Sequence, residues 1–355
     1  LAKCPPCLCE ICQYAKQTRK TTKGKISSTD TKVDGHLKEN ILRAGERVSV
    51  DHFESRLKGR TFTSFGGETA DSYRGGCVFV DHMSGHLHVE LQVGFSATET
   101  IRAKQNFEQL AGSHGVPIQS YLGDNGAFKA HAFERHIRES NQQIKYCGVN
   151  AHHQNGIAER SIRTVSEKAR AMLLHAAIHW KDGVSSNLWP MAVQYAAYQY
   201  NHLPNSTGHA PADLFTGSTF PRHKLFQMHT WGCPVYVLDP KLQQGKKLPR
   251  WDPRARRGMF VGFSSVHSSD VPLVLNLQTG HISPQFHVVF DDDFSTVSSL
   301  TSTDDIPDFW SKLSLDPMEE LSPSIVTRIP LDPTSSIEVE DIWLPADELE
   351  EKRRS

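Results

Sequence analysis

The sequence predicts an α/β fold in which a mixed sheet flanked by helices is followed by a small β-rich domain and an acidic tail. Strand-like runs recur three times between residues 48 and 91, before helices and strands begin to alternate. Short strand-and-turn units follow from residue 231. From residue 298 the composition shifts to Ser, Thr, Pro, Asp and Glu, which cannot support a packed core, so a disordered tail is predicted.

Charge is distributed unevenly along a chain whose formal net charge is only −1. Residues 291–355 contain 17 acidic and five basic residues, a net charge of −12, so residues 1–290 carry +11. A basic body with an acidic tail favours a nucleic-acid partner for the body. The sequence shows neither a run of 18 apolar residues nor a basic-then-apolar leader, so no membrane partner is expected.

Four of the seven cysteines lie within nine residues near the start of the chain. A dense cluster followed by scattered thiols predicts metal binding rather than disulfides, and thiolates are common ligands of structural Zn²⁺. Cys9 and Cys12 form one candidate pair with Cys-x2-Cys spacing, and Cys4 and Cys7 form an alternative or additional pair with the same spacing. Residues 13–44 are a basic connector that is either solvated or in contact with nucleic-acid phosphates.

The α/β region opens with a half-buried strand over residues 48–53, which carries Asp51. The polar, Gly-rich residues 56–73 are predicted to form a hairpin or a flexible insert. Two further strands, 77–81 and 87–91, are joined by a turn and place Asp81 at a strand end.

Helices and strands then alternate. Apolar periodicity predicts helices over 98–114 and 128–140 and strands over 118–122 and 144–147. The first of these strands runs into a Gly-Asp-Asn-Gly turn, which puts Asp124 at its end.

A long helix begins near Ala158, where an apolar stripe recurs at helical period through Ile162, Val165, Ala169, Met172 and Ala176. Glu159 lies off that stripe and shares the open face with Arg163, Ser166 and Arg170.

Asp51, Asp124 and Glu159 can share a pocket only if they are protonated or neutralised by cations. Two Mg²⁺ or Mn²⁺ ions about 4 Å apart would meet that need, since these ions prefer oxygen ligands and such pairs serve phosphoryl transfer. The alternative is that the three are an ordinary strand-edge, turn and helix-surface residue. Asp81 is an alternative to Asp51 as the first of the three carboxylates.

The Gly-Asp-Asn-Gly turn and the helix start Gln154-Asn155-Gly156-Ile157-Ala158-Glu159-Arg160 resemble catalytic motifs of retroviral-type integrases, specifically those of Copia-type LTR retrotransposons. The resemblance implies an RNase H-like mixed five-stranded sheet and two Mg²⁺ held by Asp51, Asp124 and Glu159. It also implies an enzyme that joins 3′-hydroxyl ends of element DNA to target DNA. Asp124 and Glu159 are 35 residues apart, close to the family's spacing, whereas the 73 residues from Asp51 to Asp124 are at its long end.

The resemblance extends to the flanks. Cys9 and Cys12 resemble the second half of a His-His-Cys-Cys zinc module, whose histidines are expected upstream. Strands near 231–237, 258–263, 274–277 and 287–291 resemble the small β-barrel that follows the integrase core. Two sets of residues are expected to contact DNA: Gln154, Asn155, Arg160, Arg163 and Arg170 beside the core motifs, and Lys241, Lys246, Lys247, Arg250, Arg254, Arg256 and Arg257 between strands of the second domain.

The resemblance also predicts the domain organisation and the partners. The predicted segments are a zinc-binding module (1–20), a basic linker (21–45), the catalytic core (46–205), a β-rich DNA-binding domain (206–297) and a disordered acidic linker (298–355). A polyprotein segment that assembles as a homo-oligomer on double-stranded element-end and target DNA is expected, first in a cytoplasmic virus-like particle and then in the nucleus. Two alternatives are a catalytically inactive or domesticated DNA-binding module and an RNase H-type nuclease that cuts without joining.

Overall fold

The structure, a computed structural model, describes residues 43–62, 71–124, 126–148, 155–180, 184–205, 208–219, 222–267, 271–297 and the backbone of 315–317. All of these fall within one compact unit, Leu1–Met318. The predictions for the cysteine cluster, for residues 21–42 of the basic linker and for most of the acidic tail lie outside the described residues.

The first sheet is mixed, and its main strands follow the order β3-β2-β1-β4-β5. Its first three strands pair antiparallel, whereas β1, β4 and β5 pair parallel. This order of strands, with helices on both faces, confirms the predicted RNase H-like fold class. The strands are β1 (Val48–Gly59), β2 (Tyr73–Asp81), β3 (Leu87–Gln92), β4 (Ser120–Gly123) and β5 (Gln143–Tyr146).

Five helices accompany this sheet: α1 (Ala97–Ser113), α2 (His131–Glu139), α3 (Gly156–His179), α4 (Trp189–His202) and α5 (Pro211–Thr216). Local sequence explains several of their starts. The Ser96 side chain accepts from the Glu99 N–H at the start of α1, and α4 and α5 carry Pro in their first turn, where a missing N–H is harmless. No helix in the described part of the chain is long and apolar enough to cross a membrane.

The two faces of the sheet bury different sets of side chains. Val48 and Val50 of β1 belong to a cluster with residues of α1 and α2. Phe53 of the same strand belongs to a second cluster with residues of α3 and α4. Since successive strand residues point to opposite faces, odd-numbered residues of β1 face the α3–α4 side.

Strand β1 is longer than predicted, because residues 56–59 continue it instead of starting an insert. The reason is tertiary. The indole Nε1 of Trp189 donates to the carbonyl of Leu57 at 2.9 Å. A Cβ at Gly59 would come within 2.7 Å of the Trp189 ring, so only glycine fits there.

A short strand, β11 (Leu315–Pro317), lies within the segment 298–355 that is predicted to be disordered. It pairs antiparallel with β1 at Phe53–Ser55. Strand β4 pairs with β1 only at Val48 and Ser49, so the later part of β1 has backbone groups available for another strand.

The second sheet is antiparallel throughout, with the order β10-β6-β7-β8-β9. Four of its strands agree with the predicted ones, and Ile282–Pro284 was not predicted. A single helical turn, α6 (Pro240–Gln243), lies between the first two strands in sequence. The strands are β6 (Pro234–Leu238), β7 (Ala255–Phe263), β8 (Pro272–Leu275), β9 (Ile282–Pro284) and β10 (Val288–Phe290).

The two sheets share one hydrophobic cluster, which the sequence did not predict. That cluster contains Phe53 and Ile162 from the first part of the chain together with Val235 and Phe260 from the second. Hydrogen bonds reinforce the junction: Trp180 Nε1 donates to the carbonyl of Gly232 at 2.6 Å. The predicted boundary at residue 205 is therefore no break in the buried core.

A pair of glycine substitutions tests this junction. Gly232 and Gly245 both have positive φ, +84° and +74°, so alanine at either imposes backbone strain of about 1 kcal/mol. A Cβ at Gly232 would also lie 2.4 Å from Cβ of Ala176 in α3, while nothing lies within 4 Å at Gly245. We expect Gly232→Ala to lower the free energy of unfolding by about 3 kcal/mol and Gly245→Ala by about 1 kcal/mol in urea titrations. Equal losses would contradict the packing of the second sheet on α3.

Candidate active site

Asp51 lies in the middle of β1 on the face that meets α3. Its odd number places it on the side of Phe53, and it is 7% exposed. The neighbouring His52 points to the opposite face, where its ring stacks on Phe128 at 4.5 Å. The backbone N–H of His52 donates to Oδ1 of Asp51 at 2.9 Å.

Asp124 follows the adjacent parallel strand and comes level with Asp51. The register pairs Val48 with Tyr121 and Ser49 with Leu122. Continuing that register by two residues aligns Asp51 with Asp124, one strand spacing, about 4.8 Å, away. Asp124 is half-buried.

Glu159 reaches the same region from the first turn of α3, where it is half-buried. The start of that helix is tied to β1 by Asn155, whose Nδ2 donates to the carbonyl of Val50 at 3.1 Å. Residues four apart share a helix face, so Glu159 lies one turn beyond this anchor.

The three carboxylates interact electrostatically. Burial raises the pKa of Asp51 from 3.8 to about 7; the His52 hydrogen bond lowers it, and the charges of Asp124 and Glu159 raise it further. Both other carboxylates therefore lie within electrostatic reach of Asp51.

The donor set suits a hard divalent cation, because carboxylate oxygens are the ligands that Mg²⁺ and Mn²⁺ prefer. A cation would also relieve the repulsion and burial that raise the pKa of Asp51. The residues that could hold it are Asp51, Asp124 and Glu159. No group of three His, Cys, Asp or Glu side chains among the described residues already has the arrangement of a metal site.

Asp81, the rival to Asp51, has a structural position. It is fully buried at the far end of β2. Its Oδ1 accepts from the Gly45 N–H at 2.8 Å. Its Oδ2 accepts from the N–H and the hydroxyl of Ser84 at 2.8 and 2.6 Å. Asp81 thus holds the β2–β3 turn and the chain entering β1.

The predicted DNA contacts beside the core motifs fall into three groups. Gln154 lies outside the described residues, as do the zinc candidates Cys9 and Cys12. Arg160 and Arg163 are exposed on α3, and Arg170 is half-buried. Asn155 was predicted to contact DNA, but it is buried. It is 2% exposed and holds α3 on β1 instead of facing solvent.

All seven cations of the predicted basic segment, residues 241–257, are exposed: Lys241, Lys246, Lys247, Arg250, Arg254, Arg256 and Arg257. Arg257 differs from the others, since its Nη1 donates to the carbonyl of Thr296 and its guanidinium stands 5.5 Å from the centre of the Trp180 ring. Its role is partly structural.

The sequence analysis did not single out Trp251, which is 92% exposed within this segment. The signal that could have found it is a tryptophan within a run of cations.

The chain is similar in sequence to a known domain family and to known polyproteins. Residues 233–303 match a protein-family model described as the retroviral polymerase SH3-like domain. The chain is 26% identical over 236 residues to the Retrovirus-related Pol polyprotein from transposon RE1 of Arabidopsis thaliana, a match covering 66% of this chain and 15% of the relative. It is 28% identical over 159 residues to the polyprotein from transposon RE2 of that plant, covering 42% and 10%.

The predicted resemblance to retrovirus-related polyproteins of transposons is confirmed by these relatives. The chain spans less than a sixth of the length of either one.

Two solved structures are also similar to this chain. The HTLV-2 integrase catalytic core domain in complex with magnesium (trimeric form) is 18% identical, with a TM-score of 0.36, over 49% of this chain and 98% of that chain. The catalytic core domain of BIV integrase is 17% identical, with a TM-score of 0.35, over 52% and 99%.

Replacing Asp51 by Asn should stabilise the metal-free protein at neutral and higher pH. The folded pKa of about 7 exceeds the unfolded value of 3.8, so the wild type loses stability as pH rises from about 4 to about 7. We expect Asp51→Asn to raise the free energy of unfolding by about 2 to 4 kcal/mol at pH 8 and to change it little at pH 4. Urea titrations in chelator at the two pH values measure this.

Asp81→Asn is the matched control. Its amide nitrogen would face N–H and O–H donors, so this variant should be less stable than the wild type by about 1 to 3 kcal/mol at pH 8. A destabilised Asp51→Asn at pH 8 would contradict the buried, repelled carboxylate.

Proposed function

We propose that this chain is a retrotransposon integrase, a polynucleotidyl transferase that joins 3′-hydroxyl ends of double-stranded element DNA to target DNA. The observation that carries the proposal is the convergence of Asp51, Asp124 and Glu159 from two parallel strands and one helix. Similarity to retrovirus-related Pol polyproteins supports it.

In this proposal the three carboxylates hold two Mg²⁺ or Mn²⁺ ions. When bound, such a pair lowers the pKa of a donor hydroxyl and stabilises charge on the leaving oxygen. Asp51 contributes a ligand whose negative charge is poorly tolerated in the metal-free protein, since burial raises its pKa to about 7. Its affinity for a cation is correspondingly favoured, because the bound cation offsets that penalty.

Asn155 acts in this proposal as a positioning residue. Its hydrogen bond to the Val50 carbonyl fixes the first turn of α3 against β1, next to Asp51. The backbone N–H of His52 fixes the Asp51 carboxylate in turn. Both contacts set the carboxylate geometry before DNA binds, which lowers the reorganisation needed for the reaction.

DNA is held by two basic surfaces. Arg160 and Arg163 project from the exposed side of α3 close to Glu159, where element-end DNA would approach. The exposed cations of residues 241–257 would contact phosphates of the same or the target DNA. Joining two ends requires at least two copies of the chain, so the proposal includes a homo-oligomer. Cys9 and Cys12 remain the proposed Zn²⁺ ligands.

A strand-transfer assay with a labelled 3′-hydroxyl oligonucleotide, plasmid and Mg²⁺ tests the chemistry. We expect Asp124→Asn and Glu159→Gln each to reduce joined product about a thousandfold, since each lost ligand removes several kcal/mol of transition-state stabilisation. Glu167→Gln, a carboxylate two turns further along α3, is the control and should join normally.

Three outcomes separate the candidate functions. Wild-type joining by Asp124→Asn or Glu159→Gln would refute the assignment of the triad. DNA binding without joining by the unaltered protein would indicate a binding module. Cleavage without joining would indicate a nuclease.

The salt dependence of DNA binding tests the basic segment. Each phosphate contact contributes about 0.9 to the slope of log affinity against log salt concentration. Lys246→Ala with Lys247→Ala should therefore reduce the slope by about 1.8 in fluorescence-anisotropy titrations on duplex DNA. Arg102→Ala is the control, since Arg102 already pairs with Glu99 at 3.4 Å in α1 and should leave the slope unchanged.

A further inference from the structure

Trp251 stands at the tip of a turn on the second sheet's basic segment. The N–H of Asp252 donates to the carbonyl of Pro249 at 3.2 Å, which closes a four-residue turn with Arg250 and Trp251 at its centre. A turn tip presents its central side chains to solvent, and the Trp251 side chain is 92% exposed.

The other tryptophans among the described residues are buried, unlike Trp251. Trp180, Trp189 and Trp231 are 7%, 0% and 1% exposed. A Trp side chain buries some 150–250 Å² when it is covered, so an indole left in water retains a large unused binding surface. Within residues 233–297 the hydrophobic cluster takes in other aromatic side chains, such as Phe260, and leaves this one out.

The positively charged side chains around Trp251 favour an anionic partner. Residues 241–257 contain seven cations and one acid, Asp252, and all seven cations are exposed. The Arg250 guanidinium lies 5.9 Å from the centre of the Trp251 ring. Cations that bind phosphates beside an aromatic ring that stacks on bases are the combination by which proteins hold unpaired nucleic acid.

We propose that Trp251 stacks on a base that has a free face, at a DNA end, an overhang or a gap, while the neighbouring cations hold the adjoining phosphates. The inference rests on the proposed DNA-joining function and deepens it. In an intact duplex both faces of each internal base are already stacked. A ring at a turn tip therefore gains the most stacking free energy where a base is unpaired or terminal. The turn would thereby distinguish DNA ends and junctions from uninterrupted duplex.

Binding measurements on matched DNAs test the proposal with the full-length chain. The probes are a hairpin-closed duplex without free ends and the same duplex opened to carry a short single-stranded overhang. The variants are Trp251→Ala and Trp251→Phe. Phe286→Ala is the control, because Phe286 is 76% exposed in the bend between β9 and β10 but lies in a stretch, 271–290, without Lys or Arg.

We expect the wild type to prefer the overhang DNA and Trp251→Ala to bind it about 5- to 100-fold more weakly, with closed-duplex affinity changed less than about twofold. Trp251→Phe should retain most of the preference, since a phenyl ring still stacks. The slope against salt should be the same in Trp251→Ala and wild type, because no cation is removed. Phe286→Ala should behave as wild type.

Several results would overturn the inference. Equal weakening on both DNAs, or no weakening, removes the stacking role while leaving DNA binding intact. A change in sedimentation of the protein alone, with the overhang preference retained, assigns Trp251 to contact between protein molecules. Failure of the wild type to bind either DNA overturns the proposed function itself and this inference with it.

Discussion

The fold depends on the burial of one helix, α4, between two sheets. Gln194 donates to the carbonyl of Val89 at 2.9 Å, and Asn201 exchanges two hydrogen bonds with the backbone of Leu87. On its other side the Tyr195 hydroxyl donates to the carbonyl of His229, and its ring packs edge-on against Phe260 at 5.3 Å. A helix that is apolar over most of its circumference is stable only when it is covered on several sides, which explains why the two sheets share a core.

The same constraint fixes α3, and through it the candidate active site. Helix α3 buries Ile162, Val165 and Ala169 against the first sheet and α4. Further along, Ala176 abuts Gly232 of the second part of the chain. Because a helix is rigid over this length, packing at its middle and end constrains the first turn, where Asn155 binds β1 and Glu159 lies. Glu159 is thus positioned by contacts along the whole of α3.

Two buried aspartates on neighbouring strands contribute differently to stability. Asp81 accepts three hydrogen bonds and serves the fold. Asp51 accepts one from the adjacent backbone and is repelled by two other carboxylates, so its pKa rises to about 7. A carboxylate that is held in so unfavourable a place contributes little to the stability of the fold, and such strained, buried charges are typical of functional sites.

Local patterns in the sequence determined most of the secondary structure and the candidate residues, because alternation, helical periodicity and turn chemistry depend on neighbours in the chain. They predicted the strands around Asp51 and Asp124 and the apolar stripe of α3. Only the tertiary structure decided the rest. The extension of β1 to Gly59 depends on Trp189, the burial of Asn155 depends on Val50, and β11 depends on an unpaired length of β1. The different hydrogen bonding of Asp51 and Asp81 and the exposure of Trp251 likewise follow from which residues surround a side chain in the fold. That is set by packing between segments far apart in sequence, and no local pattern encodes it.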